Sequence, residues 1–196
     1  MFQLFIFCIC QILLYLIIKK IDREDNELIN IYKLQKYPCI SVILIIIFMI
    51  LIALANNIYY TIILSIFLLG CIQDIQTQYV CDIFQYLTLC ITFIHFLLCD
   101  INTLHFLYIF PFIFIVITWT MRGTADSIAM IIWTLFYIPI FEDIIYILYG
   151  FLFAYFLQII VQIIYCVVKH CSWRQKQYMA FFPALTLGMS VIYFLK

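Results

Sequence analysis

Charge is what this chain has least of. Only 10% of its 196 residues are Asp, Glu, Lys or Arg, against roughly a quarter in an ordinary soluble domain. With 68% hydrophobic residues and a mean hydropathy of +1.19, a water-soluble fold is excluded and a membrane protein is expected. The formal net charge is zero, so nothing points to nucleic acid. Alternating polarity in segments of about ten residues is missing, which argues against a transmembrane β-barrel. No internal repeat stands out. There is no Cys-x-x-Cys pair among the nine cysteines. The closest two, Cys8 and Cys10, lie inside an apolar run where zinc is not expected, so the cysteines read as small apolar packing residues. Disulfides are not expected at cytoplasmic positions such as Cys81 and Cys171. His-Glu-x-x-His, Gly-x-Ser-x-Gly and phosphate-loop patterns are absent. His95, His105 and His170 are scattered, so no Ser/His or Cys/His site assembles convincingly.

What is present is a series of continuous apolar runs. A hydrocarbon core about 30 Å thick takes roughly 20 apolar residues per helix. The runs predict spans near residues 2–18, 39–55, 58–73, 83–99, 102–121, 127–138, 143–168 and 178–195. Pro139, followed by Glu142 and Asp143, separates the sixth from the seventh, and this boundary leaves the total at about six to eight. The expected fold is an all-α, polytopic transmembrane helix bundle, with residues 1–196 forming one integral membrane domain. Lys19 and Lys20 follow the first run rather than precede it. That predicts a first span with its N-terminus outside, not a cleaved signal peptide. Lys19, Lys20, Arg23, Lys33, Lys36, Arg122, Lys169, Arg174 and Lys176 then all fall on the cytoplasmic side, and only Lys196 falls outside. This is the bias expected of inner loops. The largest loop, residues 19–37, mixes both charge signs. It carries Leu28, Ile29, Ile31 and Leu34 at roughly helical spacing, which suits either an amphipathic helix on the inner leaflet or a solvated connector.

The ten acids sort unevenly. Four lie in the 19–37 loop among bases. Asp100, Glu142 and Asp143 lie in outer turns. The remaining three, Asp74, Asp82 and Asp126, all fall at cytoplasmic ends of spans. Asp82 and Asp126 open helices, where a carboxylate caps free N–H groups and favours the positive end of the helix dipole. Asp74 closes a helix, where the dipole disfavours it. An ionisable group at membrane depth is a functional candidate by default. Two carboxylates a few ångströms apart share a proton, because both cannot ionise easily. The ionised member can activate a water for attack on a peptide carbonyl, and the protonated member can donate to the carbonyl oxygen. No metal or cofactor is needed.

Three segments then carry a resemblance to a family. The stretch "GCIQDIQTQYVCDIFQYLT", residues 70–88, is similar to the pattern of an Asp followed by a short polar stretch and Ile-Pro-Asn/Asp in the type IV prepilin peptidases. These are membrane aspartic peptidases that include the archaeal preflagellin peptidases. Asp74 takes the first catalytic position, Val80 the Ile and Asp82 the Asn/Asp, while Cys81 stands in place of the Pro. "GTAD", residues 123–126, resembles the family's Gly-x-Gly-Asp motif, with Gly123 as the first glycine, Ala125 replacing the second and Asp126 in the second catalytic position. "MAFFPALTLG", residues 179–188, resembles a late Pro-Phe-x-Pro-x-Leu-x-x-Gly segment. There Pro183 and Gly188 match and Ala180 replaces the earlier Pro. The likeness spans about residues 58–190.

The resemblance implies an endopeptidase in the cell membrane, with its active site toward the cytoplasm. It would cut the basic leader from prepilin or pseudopilin-like substrates. Asp74 and Asp126 would be the dyad, with Gly123 allowing close backbone approach and Asp82, Arg122 and the 19–37 loop seating the leader. Larger members carry paired cysteines in a cytoplasmic region and N-methylate the product. The short, cysteine-free 19–37 loop implies a peptidase-only form. Two other functions remain open on the residues. One is a non-catalytic relative acting as an assembly or scaffold protein. The other is a small transporter using the acids as a proton relay.

Overall fold

A computed structural model of the chain describes residues 2–21, 38–77, 80, 82–99, 111–113, 115–116, 124–141, 144–169 and 181–195. Every regular element among these residues is helical. The helices are α1 (Phe2–Ile21), α2 (Pro38–Leu54), α3 (Ile58–Thr77), α4 (Asp82–Leu98), α5 (Thr124–Tyr137), α6 (Ile145–Lys169) and α7 (Phe182–Leu195). Residues 111–113 and 115–116 are also helical, within the fifth apolar run. Three helices are long and apolar enough to cross a membrane, over Phe2–Lys19, Ile58–Gln76 and Ile145–Val168. The others are apolar but shorter.

Each helix falls on an expected apolar run, with shifted ends. The third continues to Thr77 rather than residue 73, so Asp74 sits inside the last turn. The helix carrying Asp126 starts at Thr124 rather than residue 127, because helical backbone continues past the apolar run into polar residues. Pro139 does end α5. Ile138, Ile140 and Phe141 instead turn back onto the Thr134 and Tyr137 carbonyls at 2.9–3.0 Å. Most of the 19–37 loop lies outside the described residues, so its amphipathic character goes undescribed.

The chain forms two compact units, Met1–Ile91 and Thr92–Lys196. In the first, α3 is central. Asn57 caps it, its side-chain oxygen accepting from the Tyr59 and Tyr60 N–H groups at 2.8 and 3.2 Å, the pattern of a helix N-cap. Of the Ile58–Gln76 segment 78% is buried, against both α1 and α2. Two hydrogen bonds stitch α1 to α3. Gln11 Nε2 donates to the Ser65 carbonyl at 2.8 Å, and Thr61 Oγ1 donates to Gln3 Oε1 at 2.7 Å. Outward, α1 presents Phe5, Ile12, Leu13 and Leu16, as a lipid-facing helix would.

In the second unit, α6 and α7 share the most extensive packing, and α5 lies against α7. Gly188 makes the α6–α7 approach possible. A Cβ built on it would lie 2.7 Å from the Ala154 nitrogen and 2.8 Å from the Ala154 Cα. Small residues at such crossings let backbones meet, and in a membrane this contact is a principal source of association. Tyr137 on α5 donates its hydroxyl to the Met189 carbonyl of α7 at 2.6 Å and stacks on Trp133. Pro183 is tolerated at the second residue of α7, where its missing N–H has no helical partner to lose. No disulfide joins the described cysteines, Cys8, Cys10, Cys39, Cys71, Cys90, Cys99 and Cys166.

Candidate functional site

The end of α3 and the start of α4 carry two of the three singled-out carboxylates. Asp74 lies in the last turn of α3 and is 8% exposed, with Gln73 buried beside it. The helix around it is apolar, so a carboxylate is held at low exposure at the negative end of a helix dipole. Asp82 is the first residue of α4 and is exposed. That is the placement of a helix-start carboxylate, in agreement with its reading as a turn or capping residue. Asp74 and Asp82 thus flank one short connection but occupy opposite environments. Between them Val80 is buried, as an apolar anchor for the turn should be.

Asp126 lies in the second unit, in the first turn of α5, and is half-buried. Ser127 next to it is buried. The rest of α5 is strongly enclosed, with Met130, Trp133, Phe136 and Tyr137 all buried. The carboxylate therefore stands at the mouth of a firmly anchored helix. Arg122 and Gly123 lie outside the described residues, as do Cys81 and Ala180. Of the late segment, Pro183 and Gly188 are described, and both belong to the α6–α7 packing.

One set of residues was not singled out in the sequence. Gln85, Thr88, Thr92 and His95 recur every three or four residues along α4, and all four are buried. The opposite face shows Tyr86, Phe93, Ile94 and Leu97. This inverts the usual soluble pattern and suits a helix whose apolar side meets lipid. Thr88 donates to the Phe84 carbonyl at 2.5 Å. His95 packs its ring 5.0 Å from Phe136, and its Nε2 lies 3.6 Å from Cys99 Sγ. The signal was legible as a polar residue at positions 85, 88, 92 and 95, but the high overall apolarity of the run masks it. Among the described residues, no three His, Cys, Asp or Glu side chains gather as a metal site.

No protein-family model matches this chain, and no curated protein or solved structure matches it either.

Proposed function

We propose that this chain is a multi-pass membrane aspartic endopeptidase. In this reading it crosses the bilayer six to eight times with its N-terminus outside, and it cuts the basic leader of a prepilin-like substrate at the cytoplasmic face. The observation that carries the reading is Asp74, a carboxylate 8% exposed in the last turn of an apolar helix. Nothing in helix chemistry favours an acid there, whereas catalysis by a carboxylate pair requires one in a shielded setting. Asp126 is the partner. It is half-buried at the start of α5, and the positive-inside distribution of bases assigns it to the same membrane side.

The chemistry follows from unequal protonation. The ionised carboxylate takes a proton from a water as that water's oxygen bonds to the scissile carbonyl carbon. The protonated carboxyl gives its proton to the carbonyl oxygen. In the collapse of the tetrahedral species the C–N bond breaks. The carboxyl that took the water's proton gives it to the amine nitrogen, and the other carboxylate takes back its proton from the hydroxyl as the carbonyl re-forms. General acid–base contributions of this kind are worth about 10²–10⁴-fold in rate. In membranes containing the wild-type chain, a peptide with a short basic leader ahead of a hydrophobic segment is cleaved. Asp74→Asn and Asp126→Asn each lower the rate by at least about 100-fold. Wild-type processing by either variant rules the reading out.

A second reading, a small proton-coupled transporter, draws on the buried polar row of α4. Relay groups are normally kept away from lipid, and Gln85, Thr88, Thr92 and His95 are each buried. It would be favoured by solute uptake that needs a proton gradient and is lost in Asp74→Asn, in membranes that cleave no leader peptide.

A further inference from the structure

Gln85 is 1% exposed, in the first turns of α4. Its Nε2 donates to the Val80 carbonyl at 3.4 Å. Because that partner is a carbonyl, the orientation of the amide is fixed, and the other end is Oε1. That oxygen is buried and accepts no hydrogen bond. Its neighbours on the same face behave differently. Thr88 satisfies its hydroxyl on its own helix, through Phe84. The free atom of Gln85 is an acceptor, so no carbonyl of its own helix can satisfy it. An orphaned buried acceptor is destabilising, and leucine would fill a similar volume without it. In the chain, Gln85 follows Asp74 across one short connection that includes Val80.

Resting on the peptidase reading, we propose that Gln85 is a substrate-positioning residue, whose Oε1 accepts a backbone N–H of the peptide being cut. An extended peptide crossing a membrane-edge site brings N–H groups that have lost water. A buried amide oxygen meets that need in a shielded setting, where a hydrogen bond keeps much of its strength. Val80 fixes the donor end of the amide and so aims the acceptor end. Because Gln85 is 1% exposed, the peptide reaches Oε1 only where the elements around it part on binding.

The test pairs an enzyme variant with a substrate variant. Synthetic leader peptides are made with single backbone N–H groups replaced by ester oxygens around the cleavage point. In the wild-type chain one ester position raises KM about three- to tenfold, the worth of one hydrogen bond, with kcat little changed. In Gln85→Met the all-amide peptide shows that same rise, and the sensitive ester position no longer matters. Gln85→Glu, which as the neutral acid that burial favours keeps both an acceptor oxygen and an O–H for the Val80 carbonyl, restores ester sensitivity. This also serves where Gln85→Met fails to fold. If the ester penalty persists undiminished in Gln85→Met, or no ester position raises KM in the wild type, Gln85 is structural and the proposal falls alone. If the wild-type chain cleaves no leader peptide, or cleaves without Asp74, the peptidase reading falls and this proposal with it.

Discussion

Helices α3 and α6 can each cross a bilayer by length and composition, yet 78% of the first segment is buried and 11% of the second. Both are strongly apolar, so hydropathy alone does not separate them. The polar residues do. In α3, Thr61, Ser65, Gln73 and Asp74 are all buried. In α6, large apolar side chains such as Leu152, Phe156, Ile164 and Val167 are exposed. Lipid tails are as apolar as leucine, so a bilayer gives little reward for hiding Phe156 from them. It strongly penalises a carboxylate or amide facing them. In a membrane protein the buried helix is therefore the one that carries the polar groups, and the candidate site lies on it.

The largest effect that tests this contrast is steric. Phe67 on α3 is 0% exposed, and Phe156 on α6 is 57% exposed. Phe67→Ala opens a void lined by rigid neighbours and is expected to cost about 3–5 kcal/mol. Phe156→Ala exchanges one apolar contact for fluid lipid and should stay within about 0.5 kcal/mol. Reversible unfolding in mixed micelles measures both. Equal losses would break the distinction between the two helices. Gly188→Val refines it, because the backbone of α6 is met closely where Gly188 faces Ala154. Its Cβ would collide with backbone, which cannot rotate away, and the expected cost is about 1–3 kcal/mol. A change of the same size at Val161, exposed on the far half of α6, should cost nearly nothing.

Much of this organisation was legible in sequence. Apolar runs marked the helices because a span must be continuously apolar, and Pro139 marked the end of α5 because it cannot donate to the helix ladder. The ends were less legible. Thr77 and Thr124 lie beyond the apolar cores, where backbone hydrogen bonds continue through polar residues. Asp74 stood out because it is an acid at the wrong end of a helix. Gln85 did not, since glutamine carries no charge and its importance lies in an unmet hydrogen bond that only three dimensions reveal. Which helices lie inside was also hidden, because it depends on neighbours rather than on composition. Asn57, directly before an apolar run, could have been read as a cap. Asn57→Ala should cost about 1 kcal/mol by freeing two N–H groups at the start of α3, seen as faster amide exchange at Tyr59 and Tyr60.

The smallest effects concern how α1 is held to α3, and they separate two bonds that look alike. Gln11 donates to the Ser65 carbonyl at 2.8 Å. Gln11→Leu removes this link with nothing to replace it, and interhelical hydrogen bonds in membrane proteins average about 0.6 kcal/mol. Gln3 instead accepts from Thr61 Oγ1 at 2.7 Å. That hydroxyl has a second acceptor already in place, the Asn57 carbonyl at 3.2 Å on its own helix. Gln3→Leu therefore leaves no donor stranded, and its cost should fall below that of Gln11→Leu. Unfolding of the two variants in the same micelles gives the order directly. The reverse order would mean that the Asn57 carbonyl does not compensate, and that α3 depends on α1 for its polar groups as well as for its packing.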